Sequence, residues 1–316
     1  MGALSFDEFQ GWAKEIIRDF MPRSYGDAEV IVRKVEKLGG SYTGMCVMPK
    51  GANVAPTLNL ELFYEEYKKG AGGVALIEKM AEVAKLRHPS LDVDALFDYE
   101  KVRGKLFVRL CGISGREEML EKMPHLCMED LALTCHIFTD GYDGGFGSMP
   151  VNNDMLASYG ITKEQLFSDA FESSARLFPA ELHGLLSLLP EAVAAAGTED
   201  DNGALVLTNV RKACGAAALF YPGIMEMAAA RLGGSYYILP SSVNELILLP
   251  DDGERDVQEL EDTVRSVNRL VVGPSEFLSD HVYYYDAKAE SFSLAGGPLS
   301  SVPAPHSGGG GQLYAF

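Results

Sequence analysis

The hydrophobic pattern is densest from Cys214 to Pro250, CGAAALFYPGIMEMAAARLGGSYYILPSSVNELILLP. Gly215–Phe220 is a continuous apolar run closed by Tyr221-Pro222-Gly223, and a short run of that kind predicts a strand covered on both faces. Tyr221, Met225, Ala228 and Leu232 then share one helical face, with Gly233-Gly234 as the stop. Two more strands, Tyr236–Leu239 and Glu245–Leu249, flank the turn Pro240–Asn244. The stretch reads β-α-β-β, and the small residues Ala228–Ala230 suit a helix lying close on a sheet.

Upstream, Ser5-Phe-Asp-Glu8 is a capping box opening a helix whose stripe is Phe9, Trp12, Ile16 and Phe20. Ala28–Glu36 and Tyr42–Met48 alternate as paired strands around Gly39-Gly40, and Val54–Leu58 adds a third. Two helices follow, one carrying Leu60, Phe63, Tyr64 and Tyr67 and ending at Gly70, the other carrying Val74, Ile77, Ala81 and Ala84 and broken at His88-Pro89. Lys105–Leu110 and Leu131–Phe138 read as strands, Arg116–Lys122 and Asn152–Tyr159 as short helices. Thr162-Lys-Glu-Gln165 is a second capping box, for a helix with Leu166, Ala170, Ser173 and Leu177 on one face.

Downstream, Leu205–Asn209 is a strand, and Val257, Leu260, Val264, Val267 and Val271 make an apolar helical seam. Val282–Asp286 and Ser291–Leu294 form a terminal hairpin. The Ala- and acid-rich interval 190–203 reads as a linker or lid, and the Gly, Pro and Ser from Gly296 onward as a disordered tail. The predicted fold class is α+β, with mixed sheets built from hairpin-plus-helix units. Two subdomains are expected, 1–160 and 161–294, the second centred on 214–250 and followed by the tail 295–316. Hairpin-then-helix recurs three times at unequal intervals, so no solenoid is implied.

Composition narrows the partners. The chain of 316 residues is long enough to bury a sizeable core. Its formal charge of −18 argues against nucleic acid and against anionic membrane surfaces, both of which need clustered Lys and Arg. No apolar stretch approaches the ~20 residues that span a bilayer. The segment MGALSFDEFQGW shows no basic-then-apolar signal, so a cytoplasmic location is expected. Five scattered cysteines, each beside an apolar run, read as buried free thiols rather than a disulfide framework.

No motif supplies strong chemistry. His125, Cys127, Cys135 and His136 lie close in sequence, but the spacing is wrong for a zinc finger, and on a strand Cys135 and His136 face opposite ways. Ser242 sits in a turn without the G-x-S-x-G of a nucleophile elbow; a triad would have to combine it with His281 and an acid such as Asp280. Gly144-Gly-Phe-Gly147 lacks the Lys-Ser/Thr of a phosphate loop, and Asp251-Asp252-Gly253-Glu254 lacks the later ligands of a calcium loop. The weak catalytic candidates are His125, Asp130, Ser242 and His281; no metal and no cofactor is expected.

The runs Ala217–Pro222, Tyr237–Ser242, Leu249–Gly253 and Leu278–Tyr283, with Ala55-Pro56-Thr57, Pro124-His125 and Asp130-Leu131-Ala132 in the first half, resemble an uncharacterised bacterial family, domain of unknown function 5688. The resemblance covers about Phe6 to Leu294. The C-terminal part is distantly similar to a second such family, domain of unknown function 1444, through Gly160-Ile-Thr162 and Arg176–Pro179. Neither resemblance implies an activity. Many members of the first family carry Arg after the Pro-His pair, where this chain has Leu126, which weakens a polar site there. The expectation is a non-catalytic binding or regulatory protein acting on a protein partner, one whose basic surface complements the acidic chain. The alternative is a hydrolase-type enzyme with a site near Ser242, His281 or His125.

Overall fold

The computed structural model describes residues 4–37, 40–52, 55–85, 92–140, 146–185, 203–297 and 302–303. The fold is α+β, with three antiparallel sheets. The chain forms two compact units, Met1–Val93 with Gly141–Gly145, and Asp94–Asp140 with Phe146–Phe316, so the division in space falls near residue 93. The interval 190–203 and residues His88 and Pro89 lie almost wholly outside the described residues.

The first unit opens with helix α1 (Phe6–Ile16). Ser5 accepts from the Glu8 amide, while the Glu8 carboxylate accepts from the Ser5 amide, so the capping box is complete. Strands β1 (Glu29–Lys37) and β2 (Gly40–Met48) pair in register from Glu29↔Met48 to Lys37↔Gly40, and β3 (Thr57–Asn59) joins the other edge of β2. Asn59 then caps helix α2 (Leu60–Lys68), and helix α3 (Gly73–Ala84) follows. Ala13, Ile17, Met45, Leu58, Ile77 and Met80 form the core between sheet and helices. Ile77, Ala81 and Ala84 lie on the buried stripe of α3 as expected, together with Leu76 and Met80, while Val74 is 63% exposed.

The second unit begins with two single-turn helices, α4 (Val93–Leu96) and α5 (Tyr99–Val102). A four-stranded sheet follows, built from β4 (Leu106–Gly112), β5 (His125–Met128), β6 (Leu131–Asp140) and β7 (Phe146–Pro150), with helix α6 (Glu117–Leu120) between the first two. Strand β6 is central: β4 lies along one side, and β5 and β7 share the other. Helices α7 (Asn153–Tyr159) and α8 (Lys163–Leu177) come next, and α8 covers the outer edge of β4. There Ser174 Oγ accepts from the Val108 amide and Ser173 Oγ donates to the Leu106 carbonyl. Thr162 caps α8 alone, because the Gln165 side chain turns to Asp169 instead of back to the cap.

The remaining chain builds a seven-stranded sheet from β8 (Ala180–Gly184), β9 (Leu205–Asn209), β10 (Tyr236–Ser242), β11 (Glu245–Pro250), β12 (Tyr283–Asp286), β13 (Ser291–Leu294) and β14 (Val302–Pro303). Their order across it is β14-β13-β12-β10-β11-β9-β8. Helix α9 (Ile224–Leu232) precedes β10, ending at Gly233 with φ of 85°, and helix α10 (Val257–Val271) follows β11. Three expectations are corrected. Gly215–Phe220 is a fully buried 3-10 helix, because its small residues pack tightly against β9 and the Val243-Asn244 turn without the width a strand needs. The seam of α10 buries only Val264, and beside it the polar Asn268, while Val267 and Val271 are exposed. Val302–Pro303 pairs with β13 and so belongs to the sheet rather than to a tail. Among the described residues no helix is long and apolar enough to cross a membrane.

Candidate functional site

The hairpin β5–β6 turns on two residues, Glu129 and Asp130, and Glu129 takes the positive φ of 57°. On its other side β5 meets no strand among the described residues. Residues of an antiparallel strand send both backbone groups to alternate sides. Lys163 Nζ lies 3.5 Å from the His125 carbonyl oxygen, so the backbone groups of His125 and, two residues on, Cys127 point outward. Cys127 is exposed, and its N–H and C=O have no partner among the described residues. Along this edge runs an open groove of about 520 Å³, with walls from Leu120, Met123, Pro124 and Leu126 and rims at Glu121, Asn153 and Lys163.

His125 belongs to the groove. Its Nδ1 lies 3.0 Å from the Met123 carbonyl oxygen, which only accepts, so Nδ1 carries the proton and Nε2 is left as an acceptor. A single imidazole acceptor beside an exposed thiol supports hydrogen bonding to a ligand. Among the described residues no group of three His, Cys, Asp or Glu side chains is placed to hold a metal.

Asp130 and His281 come together through Ser279. The Ser279 hydroxyl donates to Asp130 Oδ2 at 2.9 Å and accepts from the His281 amide at 3.0 Å, while the Tyr283 hydroxyl donates to Asp130 Oδ1 at 2.6 Å. The His281 ring points elsewhere, with Nδ1 3.5 Å from Glu261. Asp280 accepts from Asn268, and Ser242 Oγ accepts from the Asn244 amide as an ordinary turn serine. Ser242, Asp280 and His281 are thus each engaged locally, and none of them hydrogen-bonds another. Beside Asp130, burial and then the neighbouring Asp130 charge raise the Glu129 carboxyl, whose Oε1 is buried without a partner among the described residues.

A second polar set lies on one face of the same sheet. Arg109 of β4 is opposite Thr134 of β6, His136 is two residues further along β6, and Ser148 of β7 is opposite Phe138. Arg109 Nη1 reaches Ser148 Oγ at 3.5 Å, and Thr134 Oγ1 is 3.1 Å from His136 Nε2. His136 is only 3% exposed, its Nδ1 has no partner among the described residues, and burial followed by the Arg109 charge holds it well below the ordinary imidazole range. Cys214, at φ 55° ahead of the 3-10 helix, is pushed up by burial and pulled back by the adjacent Arg109. Of this set the sequence drew attention only to His136, as one of four residues weighed for zinc; Cys135 does face away from it. The legible signal for the rest is Arg109, Thr134 and His136 standing as polar residues within otherwise apolar strands.

A family of unknown function, DUF5688, matches residues 6–287 of this chain. No curated protein and no solved structure matches it.

Proposed function

Since the chain belongs to this family of unknown function, we propose from its site that it is a cytoplasmic, non-catalytic binding protein that takes up an extended segment of a basic protein partner along the outer edge of β5. The observation that carries this reading is the unpaired N–H and C=O of Cys127 at an exposed strand edge beside an apolar groove. Open edges are templates for a further strand, with main-chain bonds giving affinity and alternate side-chain pockets giving selectivity. The formal charge of −18 favours a basic partner by long-range attraction, and Glu121 places a carboxylate at the groove itself.

The test uses Cys127→Pro. Proline deletes the outward N–H and leaves the β5–β6 ladder its own bonds, which run through the residues on either side. Lys- and Arg-containing peptides selected from a random library on the wild-type protein are titrated against both forms. The expected result is at least a tenfold weaker affinity for the variant and, for the wild type, an affinity that falls as salt rises. Equal binding by both forms, or no selectable peptide, removes the reading.

A further inference from the structure

We propose that Arg109, Ser148 and Cys214 form a binding site for a small monocarboxylate beside the buried Thr134 and His136 of the β4–β6–β7 face. The argument begins with charge. Arg109 is half-buried, and its guanidinium offers a fork of five N–H donors that never deprotonates. Its hydrogen bond to Ser148 is 3.5 Å long, at the limit of what counts as a bond, and its other polar neighbour is the weakly accepting Cys214 sulfur. No carboxylate pairs with it among the described residues. The chain holds 45 Asp and Glu against 27 Lys and Arg, so acids are plentiful, yet none stands here. A partly desolvated cation without a counter-ion is unfavourable unless an anion arrives to pair with it.

The surroundings select the anion. Ser148 adds a hydroxyl donor, and the Cys214 sulfur accepts from the guanidinium, which leaves its S–H as a weak donor. His136 stays neutral beneath it, with one buried ring nitrogen unsatisfied among the described residues. One fixed positive charge with neutral donors suits a monoanion rather than a phosphate dianion, and the two parallel N–H groups of a guanidinium match the two oxygens of a carboxylate. The site is separate from the β5 edge and stands whether or not a partner binds there.

Cys214 reports on occupancy. Iodoacetamide alkylation of the whole protein is followed residue by residue by mass spectrometry, in sodium acetate and in sodium chloride of equal ionic strength. The expected result is a saturable slowing at Cys214, at least threefold, in acetate only, with Cys127 unaffected as an internal control. In Arg109→Gln the protection disappears. Equal Cys214 rates in the two salts, or protection that survives in R109Q, overturns the proposal. If R109Q does not fold, or Cys214 reacts too slowly to follow, wild-type protein labelled with ¹⁵N-arginine decides the matter. One guanidinium resonance moving saturably with acetate and not with chloride supports the site, and the absence of such a resonance overturns it.

Discussion

Gly215 packs against Asn244 so closely that an added Cβ would lie under 3.0 Å from the Asn244 carbonyl oxygen, and equally close to Oγ1 and Cα of Thr208. Two of those atoms belong to backbone and cannot rotate away. Gly215→Ala is therefore expected to destabilise the second unit by roughly 1–3 kcal/mol through overpacking. Urea unfolding with an unchanged slope and a lower midpoint is the result that checks it. A neutral variant would mean that the 3-10 helix shifts freely.

Asp130 carries two hydroxyl donors, Ser279 and Tyr283. Asp130→Ala strands the hydroxyls of two buried residues, which is expected to remove about 1–3 kcal/mol. Asp130→Asn keeps an acceptor oxygen and is expected to lose less. The Tyr283→Phe and Asp130→Ala changes share one contact, so their double-mutant cycle should show coupling of at least about 0.5 kcal/mol.

Glu129 gives a pH dependence. Its carboxyl is raised in the folded protein, first by burial and then by Asp130. Across the interval between the ordinary and the raised value, the folded chain holds a proton that the unfolded chain has released. Stability from this group falls as pH rises through that interval, and the penalty is complete above it. Glu129→Gln, which cannot ionise, is therefore expected to raise the melting midpoint at pH 7. The gain should vanish below the ordinary carboxyl range, and melting curves from pH 3 to 8 decide it.

Leu270 and Val271 are 85% and 76% exposed on α10. Replacing both with Gln is expected to change stability by no more than about 0.5 kcal/mol per site. A larger loss would show that this end of the helix is covered in solution.

The same helix marks where pattern and packing part. A seam of Val257, Leu260, Val264, Val267 and Val271 is legible from spacing alone, but spacing does not say how wide a surface the helix meets, and only its middle is buried. The capping box at Ser5, the β1–β2 hairpin, the β10–β11 pair and the β12–β13 hairpin were legible because each is local: a cap or turn fixes the register within a few residues. Strands β5, β7 and β8 were not. HLCM, FGSMP and AELHG are too short to show an alternation; the first two become strands by pairing with the longer β6, and the third by pairing along the fully buried β9. The groove and the Arg109 face inherit that difficulty. His125 was visible as a polar residue, but the edge it stands on exists only once β5 has paired with β6, and Arg109 meets Ser148 and Cys214 only through the folded register.

The Ser279–Asp130 hydrogen bond spans 149 residues of chain. On the ribosome, where synthesis runs at about 5–20 residues per second, the β5–β6 turn therefore waits roughly 7–30 s before its partner is made. Glu129 and Asp130 spend that time in water. The first unit has no such delay, since its three strands all come from within residues 29–59. Cells making this protein thus hold, for part of every synthesis, a chain whose front has folded and whose rear depends on its last hairpin. That interval is when chaperones would meet it.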